Sequence, residues 1–464
     1  MTMSVRMHLK WLIVLLISFC LPSSLGAQGE IHQQSSSYEW PSDPLVRQKL
    51  EHWQDQKFGV LLHWGIYAVP GIVESWSICC EDWIKRDTTM TYDQYKQWYW
   101  GQADLFRPTA FDPSQWAEVM KRCGMRYMIF TTKHHDGFCL YDSRYTNFSI
   151  AHHAFKDNPR RDVLRHVLDA FRSQGFITGT YFSKPDWHSQ YYWWDVFPTK
   201  GRNVNYPIRQ YPWRWSQFQQ FTYNQIEEIL SGYGKVDILW LDGGWVCPEN
   251  GQDINMPHIA EMARRQQPGI LIVDRTIHGP YENYQTPERT VPETQLNYPW
   301  ESCIPLSDDW GWVAKPRWKT SRRVVNTLIE IVAKGGNLVL GVGPTPAGLI
   351  EPEAVARLDS IGHWLSQYGK AIYETVPTPH YHDGNIWFTA SKDHKKCFAI
   401  HACPENGDAV SSLSWHDNIP AKGTAVRIVG SGRKLSWKAD GDLVTVKIPS
   451  ELQSESFALE FNTR

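Results

Sequence analysis

Short apolar runs alternate with longer amphipathic segments between Lys57 and Tyr373. Several runs are continuously apolar, as in parallel strands buried on both faces, and the longer segments have apolar residues three and four positions apart, which predicts helices. The predicted strands are 58–63, 127–133, 176–182, 236–242, 270–275 and 338–342, with a weaker one near 298–303. The predicted helices are 116–123, 163–172, 218–230, 259–264, 325–333 and 355–368. This alternation is typical of βα units around a parallel sheet.

The number of βα units predicts an α/β fold, a (β/α)8-like (TIM-type) barrel with one strand lost or disguised. A doubly wound sheet is the alternative, but no G-x-G-x-x-G follows the first strand to support dinucleotide binding. After Pro377, short apolar runs are separated by Gly, Asp, Asn and Ser, which predicts an antiparallel β-sandwich. We therefore expect a barrel domain over 44–374 and a C-terminal β-sandwich domain over 375–464.

The N-terminus has the organisation of a secretory signal peptide over residues 1–27. Basic residues precede the apolar run Trp11–Leu21, and small residues follow up to Ala27. A membrane-spanning helix needs about 20 apolar residues, more than this run has, and no later stretch reaches that length. Residues 28–43 read as a flexible polar lead. We expect an exported protein, periplasmic or extracellular after cleavage, with no membrane insertion of the mature chain.

Composition then narrows the class of ligand. The 464 residues include 24 Trp, 21 Tyr and 18 Phe, more rings than a core of this size needs. A net charge of −2 provides no electrostatic footprint for nucleic acid. Flat amphipathic rings also pack against sugars, so a sugar is the leading ligand. Cofactor motifs and the ligand spacing of a structural zinc site are missing from the sequence, and we expect neither a cofactor nor a metal; the sequence leaves the oligomeric state open.

Five predicted strands end in polar or ionisable residues. Alone, each ending could be a turn; together they indicate a site, because barrel enzymes carry their chemistry at the carboxyl ends of the strands. Two carboxylates among His, Arg and Trp are what glycoside hydrolysis requires. Asp242 is the best candidate nucleophile, since a continuous apolar strand leads to it and two glycines after it allow close approach. A turn-forming aspartate is the alternative.

Four stretches resemble the α-L-fucosidases of glycoside hydrolase family 29. They are KFGVLLHWG at 57–65, TTKHHDGF at 131–138, WLDGGW at 240–245 and GGNLVLGVGP at 335–344. They span nearly all of the predicted barrel. The resemblance implies a retaining exo-enzyme with a (β/α)8-like barrel and a C-terminal β-sandwich, which removes terminal α-L-fucosyl residues from glycans by double displacement.

The resemblance also implies roles for individual residues. It places Asp242 at the nucleophile position, and it places substrate-binding residues at His63, His134, His135, Trp240 and Arg275. Tyr181 belongs to a Tyr-Phe-Ser element similar to the family's, and Trp310 lies where an aromatic ring packs beside the sugar. The family's E-W-Y element is present only as Glu74-Ser75-Trp76. We include Glu74 and Trp76 among the substrate-binding residues, with the contact of Glu74 left open.

Two glutamates compete for the role of general acid/base. Glu288, in QTPER, resembles the T-x-E element that supplies this group in many members. Glu301 belongs to a W-E motif that resembles an inner-barrel residue, and we prefer Glu288. Glu282 and Glu293 flank the same loop, and we expect both to be solvated.

Other functions stay open at this point. A retaining glycosidase for another sugar, an α-L-galactoside or a β-galactoside, would use the same machinery. A catalytically silent carbohydrate-binding protein would use the aromatic rings to bind a glycan but would not hydrolyse it. The pair His134-His135 also suggests a metal site, but adjacent strand residues point to opposite faces, which argues against joint ligation.

Overall fold

The computed structural model describes residues 33–35 and 37–463; the predicted signal peptide lies outside them. Seven parallel strands form one sheet in the order β5-β4-β3-β2-β1-β7-β6. Their bounds are β1 Phe58–Leu62, β2 Tyr127–Lys133, β3 Ile177–Ser183, β4 Ile238–Asp242, β5 Leu271–Asp274, β6 Glu301–Pro305 and β7 Asn337–Val342. All seven predicted strands are present, and the weak one, β6, begins three residues later than predicted.

An irregular segment, residues 282–289, lies between the edge strands β5 and β6. The Asn283 amide donates to the Ile272 carbonyl at 2.9 Å, and the Glu301 amide donates to the Gln285 carbonyl at 2.8 Å. The segment is therefore hydrogen-bonded to both edges, which satisfies backbone groups that an open sheet edge would leave unpaired.

Eight α-helices accompany the sheet in the described part of the chain: α1 Pro44–Gln54, α2 Tyr92–Trp100, α3 Pro113–Arg122, α4 Val163–Ser173, α5 Pro212–Gly232, α6 Met256–Gln266, α7 Ser321–Ala333 and α8 Pro352–Tyr368. Six were predicted. Helices α1 and α2 were missed. Their caps are the stronger signal: Asp43 accepts from the Leu45 amide, and Thr91 with Gln94 forms a capping box.

The C-terminal part is antiparallel. Its strands are β8 Thr375–Asp383, β9 Ile386–Ser391, β10 Lys396–His401, β11 Ser412–His416, β12 Val426–Ile428, β13 Lys434–Leu435, β14 Trp437–Asp440, β15 Leu443–Lys447 and β16 Phe457–Asn462. They form a six-stranded and a three-stranded sheet. Trp415 of the smaller sheet contacts Phe388 and Phe461 of the larger, with ring centroids 5.9 and 6.0 Å apart.

Further contacts connect the C-terminal sheets and the N-terminal lead to the rest of the protein. Helix α7 packs against β8 and β9, and Asn326 donates to the Cys403 carbonyl at 2.7 Å. In the N-terminal lead, the Tyr38 hydroxyl donates to the Asn283 carbonyl at 2.7 Å. No helix among the described residues is long and apolar enough to cross a membrane.

Candidate active site

The site lies at the carboxyl ends of the parallel strands, around Asp242, the last residue of β4. The Tyr181 hydroxyl donates to Asp242 Oδ2 at 2.6 Å, and Arg275 Nη1 donates to Oδ1 at 2.6 Å. Burial by itself would raise the pKa of Asp242, but the charge of Arg275 and the Tyr181 hydrogen bond hold that pKa well below its ordinary value. Asp242 is therefore ionised, as a nucleophile must be.

Arg275 connects the two carboxylates of interest. While Nη1 binds Asp242, Nη2 donates to Glu288 Oε2 at 2.9 Å. Its Nε donates to Thr286 Oγ1 at 2.9 Å, and its guanidinium lies 4.4 Å from the ring centroid of Trp240. These contacts hold the planar guanidinium in one orientation, so one cation brings Asp242 and Glu288 together.

Glu288 lies on the irregular segment 282–289, at the mouth of the site. Trp310 Nε1 donates to Glu288 Oε1 at 3.3 Å. The Glu288 side chain is 42% exposed, against 18% for Asp242. An accessible carboxyl group beside a buried one is the arrangement expected of an acid/base that must exchange protons with water.

Glu301 lies at the opposite end of the sheet. It is the first residue of β6, and its carboxylate accepts from the Tyr127 hydroxyl at 2.7 Å and from Trp240 Nε1 at 3.3 Å. Tyr127 is in turn the first residue of β2, so both are at the amino ends of the strands. Complete burial raises the pKa of Glu301 to about 8. The structure thus brings Glu288 to Asp242 and holds Glu301 beneath the site.

Three histidines line the same pocket. His63 follows β1, and His134 and His135 follow β2. The rings of His134 and His135 lie 4.3 Å apart, and that of His63 lies 5.6 Å from His134. Burial lowers the pKa of His63 to about 3 and that of His135 to about 4, so both are neutral near pH 7. Neutral imidazoles offer one donor and one acceptor each, which suits sugar hydroxyls.

The hydrogen bonds of Ser183 determine the tautomer of His135. Ser183 donates its only proton to the Pro185 carbonyl at 2.6 Å, so it must accept from His135 Nδ1 at 2.7 Å. His135 Nε2 therefore carries a lone pair, and it lies 3.6 Å from Asp242 Oδ2. Two acceptors facing one another are suited to a ligand hydroxyl that donates between them.

The positions of His134, His135 and Asp242 also bear on whether a metal ion could bind here. Ligand atoms of His134, His135 and Asp242 all lie within 4.8 Å of one another. The expectation that the two histidines point to opposite faces is wrong, because both follow the last residue of β2, where the strand pairing has ended. The Arg275 cation already bound to Asp242 disfavours a metal ion at this position by charge repulsion.

Trp310, Trp76 and Glu74 surround the histidines. The Trp310 ring stacks on His63 at 5.3 Å, and the Trp76 ring meets His135 at 5.2 Å. Glu74 is buried, which raises its pKa to about 7, and the Gly311 backbone donates to it. The predicted site residues therefore lie close together, with Glu301 alone at the far end of the sheet.

Sequence reasoning missed the supporting polar residues. Ser75 Oγ lies 2.5 Å from His134 Nδ1, and Lys184 forms a buried ion pair with Asp274 at 2.5 Å. Single serines and lysines in loops follow no pattern that a sequence alone reveals. The expectation that Glu282 is solvated is wrong, since it is buried and accepts from the Thr276 amide at 2.8 Å.

Comparison with known proteins identifies the family. The sequence profile described as alpha-L-fucosidase matches residues 25–370, most of the chain. The chain belongs to the α-L-fucosidase family. Its relatives in this family include human plasma α-L-fucosidase, 28% identical over 421 residues, which are 86% of this chain and 85% of that one. Human tissue α-L-fucosidase is 27% identical over 428 residues, 87% and 85% of the two chains.

Solved fucosidase structures have the same fold. Isoenzyme 1 from Paenibacillus thiaminolyticus superposes with a TM-score of 0.75 at 25% identity, covering 90% of this chain and all of that one. The Thermotoga maritima α-fucosidase in complex with fucose gives 0.71 at 27% identity, covering 90% and 98%. As a member of the α-L-fucosidase family, the chain is a glycoside hydrolase.

Proposed function

We propose that this chain hydrolyses terminal α-L-fucosyl residues of glycans with retention of the anomeric configuration. The observation that carries the mechanism is the single guanidinium of Arg275 bound to both Asp242 and Glu288. Retaining glycosidases hold their two carboxyl groups about 5–5.5 Å apart, whereas inverting enzymes leave about 6.5–9.5 Å for a water molecule. Two carboxylates that share one guanidinium fit the shorter spacing.

In the first step, Asp242 attacks the anomeric carbon while the glycosidic bond to the leaving oxygen breaks. Glu288 donates its proton to that oxygen, so the aglycone departs as a neutral alcohol. The product is a fucosyl ester of Asp242. Tyr181 and Arg275 hold the attacking carboxylate in place, and His135 Nε2 accepts from a sugar hydroxyl.

In the second step, the Glu288 carboxylate takes a proton from water, and the resulting hydroxyl adds to the anomeric carbon. The ester bond to Asp242 breaks, and Asp242 returns to its ionised form. Two inversions give net retention. Arg275 stabilises Asp242 as the leaving carboxylate.

Relatives support fucose as the sugar. The Thermotoga maritima enzyme, 27% identical, has been solved with fucose and also with a mechanism-based inhibitor. A silent binding protein would have no need of a second carboxyl group beside an ionised one, so the pairing of Glu288 with Asp242 supports hydrolysis over binding alone. A panel of nitrophenyl glycosides separates fucose from the galactosides, and we expect turnover of the α-L-fucoside.

The decisive test removes each carboxylate. We expect Asp242→Gly to lower kcat on an aryl α-L-fucoside by about 10³-fold or more, because the covalent step is lost; added azide should restore turnover with a β-fucosyl azide product. Glu288→Ala should retain activity on an activated aryl fucoside and lose about 10²–10⁴-fold on an unactivated one. Glu293→Ala, an exposed glutamate near the same segment, is the control. Substantial activity in Asp242→Gly, or equal losses on both substrates in Glu288→Ala, would refute these roles.

We also infer the finer architecture and the location. The segment 282–289, bonded to both edge strands, supports a closed (β/α)8-like barrel over 44–374 in which it takes the place of an eighth strand. The two facing antiparallel sheets support a β-sandwich over 375–464.

The sequence of residues 1–27 supports export and cleavage, and N-terminal sequencing of the mature protein from the periplasm or medium would test it.

A further inference from the structure

A cluster of large side chains extends from the pocket to the protein surface. Its members, here called the rim cluster, are Trp76, Trp83, Trp245, Arg202 and Glu81. Trp76 is the inner end, with its ring 5.2 Å from His135. Trp83 is the outer end, 48% exposed and 5.3 Å from Trp76 between ring centroids. Because His135 lies 3.6 Å from Asp242, the rim cluster is continuous with the catalytic site.

The rim cluster is held in place by its own contacts. The Arg202 guanidinium lies 4.9 Å from the Trp76 ring centroid and 5.2 Å from that of Trp245. Glu81 accepts from Arg202 Nε at 3.0 Å and from Nη2 at 3.2 Å. Trp245 Nε1 donates to the Arg202 carbonyl at 3.1 Å. A surface built this way is ordered before any ligand binds, which lowers the entropy cost of binding.

Two properties of the rim cluster match a sugar ring. Trp83 is a large aromatic residue that is 48% exposed, and the C–H face of a pyranose can pack on such a ring. Arg202 is one-third exposed, and its Nη1 has no hydrogen-bond partner among the described residues, so it can donate to a hydroxyl. An exposed ring beside a free donor is the chemistry of a carbohydrate subsite.

We propose that the rim cluster binds the sugar residue to which the fucose is attached, with Trp83 as its stacking platform and Arg202 as a hydrogen-bond donor. This inference rests on the proposed fucosidase activity and adds the leaving-group side of the substrate. The rim cluster begins 5.2 Å from His135 and ends at the exposed Trp83, so a glycan that extends from a fucosyl unit bound beside Asp242 and His135 toward solvent can reach it. Trp83 therefore contributes to the choice among fucosylated glycans without taking part in the chemistry.

The test compares substrates with and without a sugar leaving group. The probes are α-L-fucosyl fluoride, whose leaving group has no ring, and the trisaccharides 2′-fucosyllactose and 3-fucosyllactose. For Trp83→Ala we expect kcat/KM on the fluoride to stay within twofold, and kcat/KM on at least one trisaccharide to fall about three- to tenfold. Trp83→Phe, which keeps a ring, should recover most of that loss.

Trp40 provides the matched control, since it is 41% exposed and packs on Tyr38 in the N-terminal lead. Trp40→Ala should leave all three substrates unchanged. Equal losses of Trp83→Ala on fluoride and trisaccharides, or no loss on either trisaccharide, would overturn the subsite. A wild-type protein inactive on the fluoride would instead refute the proposed function, so the two failures are distinguishable.

Discussion

At the scale of single residues, charge and burial assign different roles to three carboxyl groups. Asp242 is only partly exposed but ionised, because Arg275 and Tyr181 bind its oxygens. Glu288 shares Arg275 and is open to solvent. Glu301 accepts hydrogen bonds from Tyr127 and Trp240, and burial raises its pKa to about 8. The same functional group is therefore ionised, solvent-exposed or neutral according to its surroundings, which agrees with the roles proposed for Asp242 and Glu288.

The raised pKa of Glu301 predicts a pH-dependent stability. A carboxyl group whose pKa is higher in the folded state than in the unfolded state stabilises the fold at low pH, and that stability is lost as pH rises through the folded value of about 8. The loss between pH 5 and pH 8 is on the order of 4 kcal/mol. The glutamine of Glu301→Gln stays neutral at every pH. We therefore expect the free energy of unfolding, measured with urea, to fall less with rising pH for this variant than for the wild type.

Activity provides the second readout for Glu301. Since it touches neither Asp242 nor the mouth of the site, Glu301→Gln should keep the same relative rates on activated and unactivated fucosides. A stability difference between variant and wild type that does not change from pH 5.5 to pH 8.5 would contradict the assignment of a neutral, buried Glu301.

At the scale of elements, the carboxyl ends of β3, β4 and β5 are linked to one another beside Asp242. Lys184, just after β3, donates its backbone amide to the Asp242 carbonyl at 2.9 Å and its ammonium to Asp274, the last residue of β5, at 2.5 Å. Arg275 follows Asp274 directly. One lysine thus links the end of β4, which carries Asp242, to the end of β5, next to Arg275.

Lys184→Met should be strongly destabilising. It leaves the Asp274 carboxylate buried without its cation, which costs about 3–5 kcal/mol; both side chains are at most 4% exposed. We expect urea unfolding to show this loss of stability, and we expect activity assays to show a lower kcat. The double variant Lys184→Met/Asp274→Asn should recover part of the stability, because no unpaired charge remains.

An exposed ion pair is the control for this variant. Arg47 and Glu51 lie 3.4 Å apart with side chains 56% and 61% exposed, so Arg47→Ala should cost less than about 1 kcal/mol. Similar losses in Lys184→Met and Arg47→Ala would contradict a special role for the buried pair.

At the scale of the whole molecule, the parallel sheet and the C-terminal sheets share one hydrophobic core. Residues from α7, α8, β9, β10 and β16 belong to the same cluster. Polar contacts cross the same boundary: Asn326 donates to the Cys403 carbonyl, and Trp364 Nε1 donates to the Ser456 carbonyl, each at 2.7 Å. The two parts are therefore expected to unfold together.

Calorimetry tests this coupling. We expect one transition for the wild type, and for Asn326→Ala one transition at lower temperature, since an unpaired buried Cys403 carbonyl costs about 1–3 kcal/mol. Gln220→Ala, an exposed change on α5, should leave the transition unmoved. Two well-separated transitions in the wild type would show that the parts are independent.

Local signals in the sequence were sufficient for the elements and for part of the site. Strand and helix periodicities depend on neighbouring residues, which is why all seven parallel strands were predicted. Asp242 stood out because an apolar strand ends at it. Helices α1 and α2 were missed, although the capping residues Asp43 and Thr91 were visible in the sequence.

Tertiary structure alone decided what depends on residues far apart in the chain. It brought Glu288 to Asp242 through Arg275 and placed Glu301 at the other end of the sheet, whereas the sequence favoured Glu288 only through a family resemblance. It also placed the rings of His134 and His135 side by side in the same pocket. The physical reason is that spacing along the chain determines which face of an element a residue occupies, whereas packing between elements determines which side chains meet and which charges are stable.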